Sequence, residues 1–196
     1  MFGLSSDTGT NAVEILKQDH DEVEKLFDQY EDAKDEDNAE LKAEIVAAVC
    51  KALTIHAQIE EELFYPAMRR QEEDASDLVD EAAVEHQTLK NLVAELRDAT
   101  PGDDLYDAKV KVLSEYVKHH VKEEEGEMFP MARKADIDLD ALGKTLLQRK
   151  GELESAPARA TRRTSRTATK SAASTNGRRP AAKTAARKST AQSRRH

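Results

Sequence analysis

Two stretches of this chain repeat one another, and each puts polar residues where a buried helix face needs apolar ones. The first runs from His56 through Ile59, Glu60, Glu61, Glu62 and Leu63 to Pro66; the second runs from His120 through Glu123, Glu124 and Glu125 to Pro130. Superposing the prolines puts His120 on His56 and Glu124 on Glu60 without a gap. Residues four apart lie one above the other on a helix. A nitrogen and a carboxylate stacked in this way can hold one metal ion, and two such pairs facing each other can hold two.

The surrounding sequence supplies helices to carry them. After a polar lead-in over 1–9, Thr10 or Asn11 can cap a helix whose apolar seam is Val13, Leu16, Val23, Phe27 and Tyr30, with His20 filling the one vacant seam position. A turn over 35–38 precedes a second seam of Leu41, Ile45, Val49, Ala52, His56, Glu60 and Leu63. Pro66 should kink or end this helix. Past a polar run at 71–76, where Ser76 can serve as a cap, Val79, Ala82, His86, Leu89, Val93 and Leu96 form a third seam. Thr100-Pro101-Gly102-Asp103-Asp104 is a strong turn signal. Leu113, Tyr116, Val117, His120, Glu124 and Met128 make the fourth seam, and Pro130 repeats the role of Pro66. A short amphipathic segment around 139–153, with Leu142, Leu146 and Leu147, is expected to pack back on the rest.

The expected fold is therefore all-α. It is an antiparallel up-down-up-down four-helix bundle over 10–154, with a short extra C-terminal helix. His20 precedes His56 by 36 residues and His86 precedes His120 by 34, so each half is a hairpin with a lone histidine on one helix and a His-x-x-x-Glu pair on the next. If the polar seam residues meet at one height, the turns must lie midway between them, near 39, 72 and 104. The turn signals, at 35–38, 71–76 and 100–104, agree.

A lone histidine on an apolar face is ordinarily a hydrogen-bonded core residue. Four of them at one level, two paired with a glutamate, are harder to explain in that way. Two buried carboxylates with no Lys or Arg on the seam need a cation. Imidazole and carboxylate without thiolate suit iron, manganese or zinc. Carboxylates from facing helices of a bundle favour a two-metal centre.

At His20, His56-x-x-x-Glu60, His86 and His120-x-x-x-Glu124, each in its helix, the chain resembles the hemerythrin-like family with the HHE cation-binding domain, over about 14–133. The resemblance implies an antiparallel four-helix bundle and a non-haem di-iron centre with an oxo or hydroxo bridge. It also implies that Glu60 and Glu124 bridge the ions and that the four histidines are terminal ligands. The oxygen-carrying hemerythrins use five histidines and an aspartate as the second bridge. The present set of four histidines and two glutamates points away from reversible oxygen carriage. It points toward reaction with peroxide, oxygen or nitric oxide, toward iron sensing, or toward iron binding alone.

Nearby residues have two readings each. His119 is either a fifth ligand or a surface residue, since it lies about 100° round the helix from His120. Tyr116, one turn before His120, either hydrogen-bonds a ligand at the centre or is a core aromatic. Glu61 and Glu123 are either acceptors for histidine N–H groups or solvated glutamates. Cys50, the single cysteine, excludes a disulfide framework and reads as a small buried apolar residue.

Charge divides the chain. Residues 155–196 carry twelve Lys/Arg and no acid, and 1–154 carry 18 bases against 39 acids, a net of −21. The tail has too few apolar residues to fold alone and is expected to be disordered. It can bind DNA non-specifically by displacing counterions, or be drawn to the acidic body. No stretch approaches a membrane span and no secretory signal is apparent, so the expected location is cytoplasmic, with nucleoid association if the tail binds DNA. Three functions follow: a di-iron protein reactive toward peroxide, oxygen or nitric oxide; an iron-dependent sensing or binding module; and a nucleoid-associated protein.

Overall fold

A computed structural model of the chain describes residues 11–35, 38–71 and 75–156. The lead-in over 1–9 and all of the basic tail beyond 156 lie outside the described residues. Every element among them is helical. Helix α1 (Ala12–Asp35) starts where Asn11 Oδ1 accepts the Val13 N–H at 3.1 Å. Helix α2 (Ala39–Ile59) starts where Asn38 Oδ1 accepts the Leu41 N–H at 3.1 Å. These side chains take up backbone donors that the first helical turn leaves unpaired.

Helix α2 does not end near Pro66. It widens into a π-turn over Glu60–Phe64 and continues as α3 (Tyr65–Gln71). Helix α4 (Ala75–Arg97) and helix α5 (Tyr106–Glu123) follow, and α5 runs into a second π-turn over Glu124–Met128 and a short α6 (Phe129–Ala132). In both π-turns the N–H of the residue before the proline reaches back five residues, Tyr65 to Glu60 and Phe129 to Glu124. The extra residue lets the chain pass the missing proline N–H without breaking the helix. Helix α7 (Leu139–Ser155), capped by Asp138, packs against α1 and α2.

The bundle has the expected hairpin order, with α1 against α2, α4 against α5 and α2 against α4. The chain reverses between residues 35 and 39, 71 and 75, and 97 and 106, close to the midpoints set by the polar seam. The longest of these turns uses Gly102 at φ 100° and Leu105 at φ 68°, and Asp103 Oδ2 accepts the Thr100 N–H at 2.8 Å. A glycine adopts the first of these conformations without steric cost.

The apolar seams form two clusters with the polar level between them. One contains Val23, Phe27, Val49, Leu53, Leu89 and Val117; the other contains Leu16, Ile59, Phe64, Met68, Met128 and Leu146. Tyr30 anchors the outer end of the first cluster, its hydroxyl donating to Asp107 at 2.5 Å, and Lys42 also binds Asp107 at 2.6 Å.

Several expected seam positions need correcting. Leu41, Tyr116 and Leu147 are 37%, 42% and 43% exposed. Leu63 yields its place to the fully buried Phe64, because the π-turn adds one residue to the count. Ser76 is not a cap: α4 already includes Ala75, and the Ser76 hydroxyl is a contact of Arg69. Cys50 is a buried free thiol whose pKa burial pushes up. No described helix is long and apolar enough to cross a membrane.

Candidate metal centre

Four helices each deliver one imidazole to the level between the two clusters. His20, His56, His86 and His120 are at most 5% exposed, and Glu60 and Glu124 at most 1%. The Nε2 atoms meet in two pairs, His20 with His56 and His86 with His120, each 3.1 Å apart. The carboxylates tie the pairs together. Glu60 Oε2 lies 3.2 Å from His56 and 3.4 Å from His86. Glu124 Oε2 lies 3.3 Å from His20 and 3.5 Å from His120. Each glutamate therefore spans one histidine of its own helix and one from the other hairpin.

The outer nitrogens of the rings are all held by carboxylates. His20 Nδ1 meets Glu125 at 3.0 Å, His56 Nδ1 meets Asp19 at 3.4 Å, His86 Nδ1 meets Glu61 at 3.0 Å, and His120 Nδ1 meets Glu85 at 2.8 Å. A carboxylate on Nδ1 keeps the hydrogen there and leaves the Nε2 lone pair facing inward. Three of these acids are in turn bound by lysines: Glu125 by Lys17, Asp19 by Lys150 and Glu61 by Lys90.

The charges at the centre are unbalanced. Burial, then the neighbouring Glu124, push the Glu60 carboxyl well above the usual carboxylate range. Burial also raises Glu124, but His120 and His20 outweigh it and hold that carboxyl well below the range. Burial and the His120 ring bring His86 down to about 4. Burial lowers His56 despite Asp19. At His120 burial again lowers, but Glu124 and Glu85 prevail and its pKa is raised.

Glu60 Oε1, Glu60 Oε2 and Glu124 Oε2 are buried without a hydrogen-bond partner among the described residues. Each such atom costs about 1–3 kcal/mol, more when charged. A cation in contact with these oxygens and with inward imidazole lone pairs removes that cost. The donor atoms fall into two sets, one of His20, His56, Glu60 and Glu124 and one of Glu60, His86 and His120. Nitrogen and carboxylate oxygen suit iron, manganese or zinc. The residues present thus fit a pair of metal ions.

The two sides of the centre differ. Toward the second cluster it is closed by Tyr65 and Phe129, which occupy equivalent places before the two prolines. Phe129 stacks on His20, ring centres 5.7 Å apart. The Tyr65 hydroxyl donates to Glu124 Oε1 at 2.9 Å and lies 3.3 Å from His86 Nε2. Burial, then Glu60 and Glu124, push the Tyr65 phenol well up, so it keeps its proton. Toward the first cluster a pocket reaches the four imidazoles between Val23, Leu53, Leu89, Val93, Val117 and Val121.

The six expected site residues are brought together. The tyrosine at the centre, however, is Tyr65; the exposed Tyr116 is not in contact with it. Of the two candidate acceptors, Glu61 holds His86, whereas Glu123 pairs with His119 at 3.2 Å. His119 is not a fifth inward histidine: its side chain is 58% exposed. Asp19, Glu85 and Glu125 escape a reading of seams because they lie off the seam. The repeat does carry a signal for them: Asp19 and Glu85 each precede a lone histidine, and Glu61 and Glu125 each follow a seam glutamate.

The sequence profile of the Hemerythrin HHE cation binding domain matches residues 11–132. The crystal structure of a hemerythrin HHE cation-binding domain-containing protein from Mycobacterium kansasii superposes with a TM-score of 0.63 at 25% identity, over 73% of this chain and 86% of that one. A DNA nickase from Nostoc sp. is 29% identical over 125 residues, which are 63% of this chain and 34% of that protein.

Proposed function

Because this chain belongs to the hemerythrin HHE cation-binding family, we propose that His20, His56, His86, His120, Glu60 and Glu124 hold two iron ions in the bundle core and that the centre reacts with peroxide, oxygen or nitric oxide. The observation that carries this reading is that two buried glutamate oxygens without hydrogen-bond partners, Glu60 Oε2 and Glu124 Oε2, between them lie within 3.5 Å of four imidazole nitrogens. When bound, iron supplies Lewis acidity and electrons. The chain does the rest. Glu125, Asp19, Glu61 and Glu85 fix the imidazoles with Nε2 inward. Tyr65 holds Glu124 Oε1 and keeps a proton next to His86. The pocket beside the imidazoles, walled mainly by valine and leucine side chains with Asp19, Thr54 and Lys90 also on its lining, has room for a ligand of only a few atoms.

The chain matches only 34% of the length of the nickase relative, and its activity is not carried over to this chain. Every proposed ligand is at most 5% exposed, out of reach of a DNA phosphodiester.

Anaerobic reconstitution with Fe(II), followed by peroxide, oxygen or nitric oxide, tests the proposal. The expected result is two irons per chain and an absorption change with at least one of the three, retained in Tyr116→Phe. Iron well below two per chain, or spectra unchanged by every addition, overturns it.

A second reading, a sensing module, is supported by one contact. Lys150 of α7 binds Asp19 at 2.5 Å, and Asp19 holds His56. In that reading the occupancy of the centre alters how firmly α7 is held, and protease protection of α7 differs between metal-free and iron-loaded protein.

A further inference from the structure

A second His-x-x-x-Glu pair is interleaved with the inner one on α5 and the π-turn that follows. His119 and Glu123 lie one residue ahead of His120 and Glu124, so the same four-residue spacing is turned about 100° round the helix and faces outward. His119 Nε2 lies 3.2 Å from Glu123 Oε1 and 3.5 Å from Glu85 Oε1, which comes from α4. The three donor atoms lie within 4.8 Å of one another.

Glu85 is also the odd member of the four acids that hold the imidazoles. Asp19, Glu61 and Glu125 each have a lysine, whereas the ion-pair partners of Glu85 among the described residues are His119 and His120. Two carboxylates thus converge on one imidazole at a place where the other three positions carry a fixed positive charge. The repeat does not require this arrangement. The positions equivalent to His119 and Glu123 in the first half are the buried apolar residues Ile55 and Ile59.

We propose that Glu85, His119 and Glu123 form a separate surface site for a divalent transition-metal cation. Glu85 Oε1, His119 Nε2 and Glu123 Oε1 are its protein ligands, and water fills the remaining positions. One imidazole and two carboxylates suit Mn2+, Fe2+ or Zn2+. The side-chain exposures, 58% for His119, 33% for Glu123 and 13% for Glu85, leave one side open to solvent and close the other against the bundle. Because the second oxygen of Glu85 is on His120 Nδ1, at 2.8 Å, one carboxylate joins the outer cation to an imidazole of the core. The site needs no ion in the core and is independent of the function proposed above.

The test is a titration of the full-length chain with Mn2+, free Mn2+ being read by electron paramagnetic resonance. Wild type loaded with iron and then desalted to two irons per chain, so that the solvent-exposed site is free of iron, is expected to bind one Mn2+ per chain. His119→Ala and Glu123→Gln should lose that equivalent and keep the wild-type iron content, because both side chains lie outside the core. If the core takes up no iron, the same titration of metal-free protein still separates wild type from His119→Ala by one equivalent, so the failure of one idea is not the failure of the other. Equal Mn2+ binding by wild type and both variants, or none by wild type, overturns the proposal.

Discussion

Four imidazoles facing two glutamates must all present a lone pair inward, and each one here does so because a carboxylate holds its opposite nitrogen. Without metal, the same arrangement leaves Glu60 strained electrostatically, and the pH dependence of stability follows. The Glu60 carboxyl is raised in the folded state, so folding holds a proton there that the unfolded chain releases. The stability this gives is present below the ordinary glutamate value and is lost as pH rises through the raised one. His86 acts in the opposite sense. At about 4 against an ordinary 6.5, it withholds a proton that the unfolded chain takes up, and stability is lost as pH falls from 6.5 toward 4. Metal-free protein should therefore weaken on both sides, and Glu60→Gln should shrink the alkaline limb, to which His120, with its raised pKa, also contributes. In chelator, urea midpoints at alkaline pH are expected to place this variant on the order of 1–3 kcal/mol above wild type. A variant that keeps the wild-type alkaline slope refutes the assignment. The six inward residues are legible in the sequence because each interrupts an apolar period. Asp19, Glu85 and Glu125 are not, because an acid beside a buried residue looks like any solvated helix position until the partner helix is in place.

At the level of elements, the two π-turns decide which side chains meet the centre. In an unbroken α-helix Tyr65 would lie about 140° round from Glu60. The wider turn brings it onto the same face, where its hydroxyl reaches Glu124. A plain helical period places Leu63 on the seam and takes no account of Tyr65. The turns and helix order are legible from loop signals and the polar level, but a π-turn leaves no trace in a periodicity count beyond the proline that follows it. Helix and proline are coupled by this turn. Deleting the exposed Glu62 removes the extra residue and should restore an α-helix with both flanks in register. Pro66 would then clash with an α-helical carbonyl, at a cost of about 3 kcal/mol. Denaturant midpoints should show that loss in the deletion variant and its partial recovery when Pro66→Ala is added. A deletion variant that Pro66→Ala does not rescue rules out the proline as the reason for the wide turn.

Across the whole molecule, two of the contacts between α7 and the bundle can be separated from one another. Leu146 is fully buried in the cluster on the Tyr65 side of the centre. Lys150 instead supplies the charge on Asp19, which burial raises but His56 and Lys150 hold below its ordinary range. Truncating the leucine removes packing, and truncating the lysine removes a charge two contacts away from the ring nitrogen that faces the core. Leu146→Ala is therefore expected to lower stability by about 2–5 kcal/mol while the molecules that remain folded bind iron as before. Lys150→Ala should change global stability less and weaken iron binding by roughly tenfold, because an Asp19 without its lysine orients His56 less firmly. It should also abolish the difference in α7 protease protection between metal-free and iron-loaded protein. Competition with a chelator of known affinity, together with limited proteolysis, reads both effects. If Lys150→Ala binds iron as wild type does and keeps the wild-type cleavage difference, α7 is a structural cover and the sensing reading fails. If Leu146→Ala alone produces both changes, packing carries the coupling and the charge relay from Lys150 through Asp19 to His56 does not.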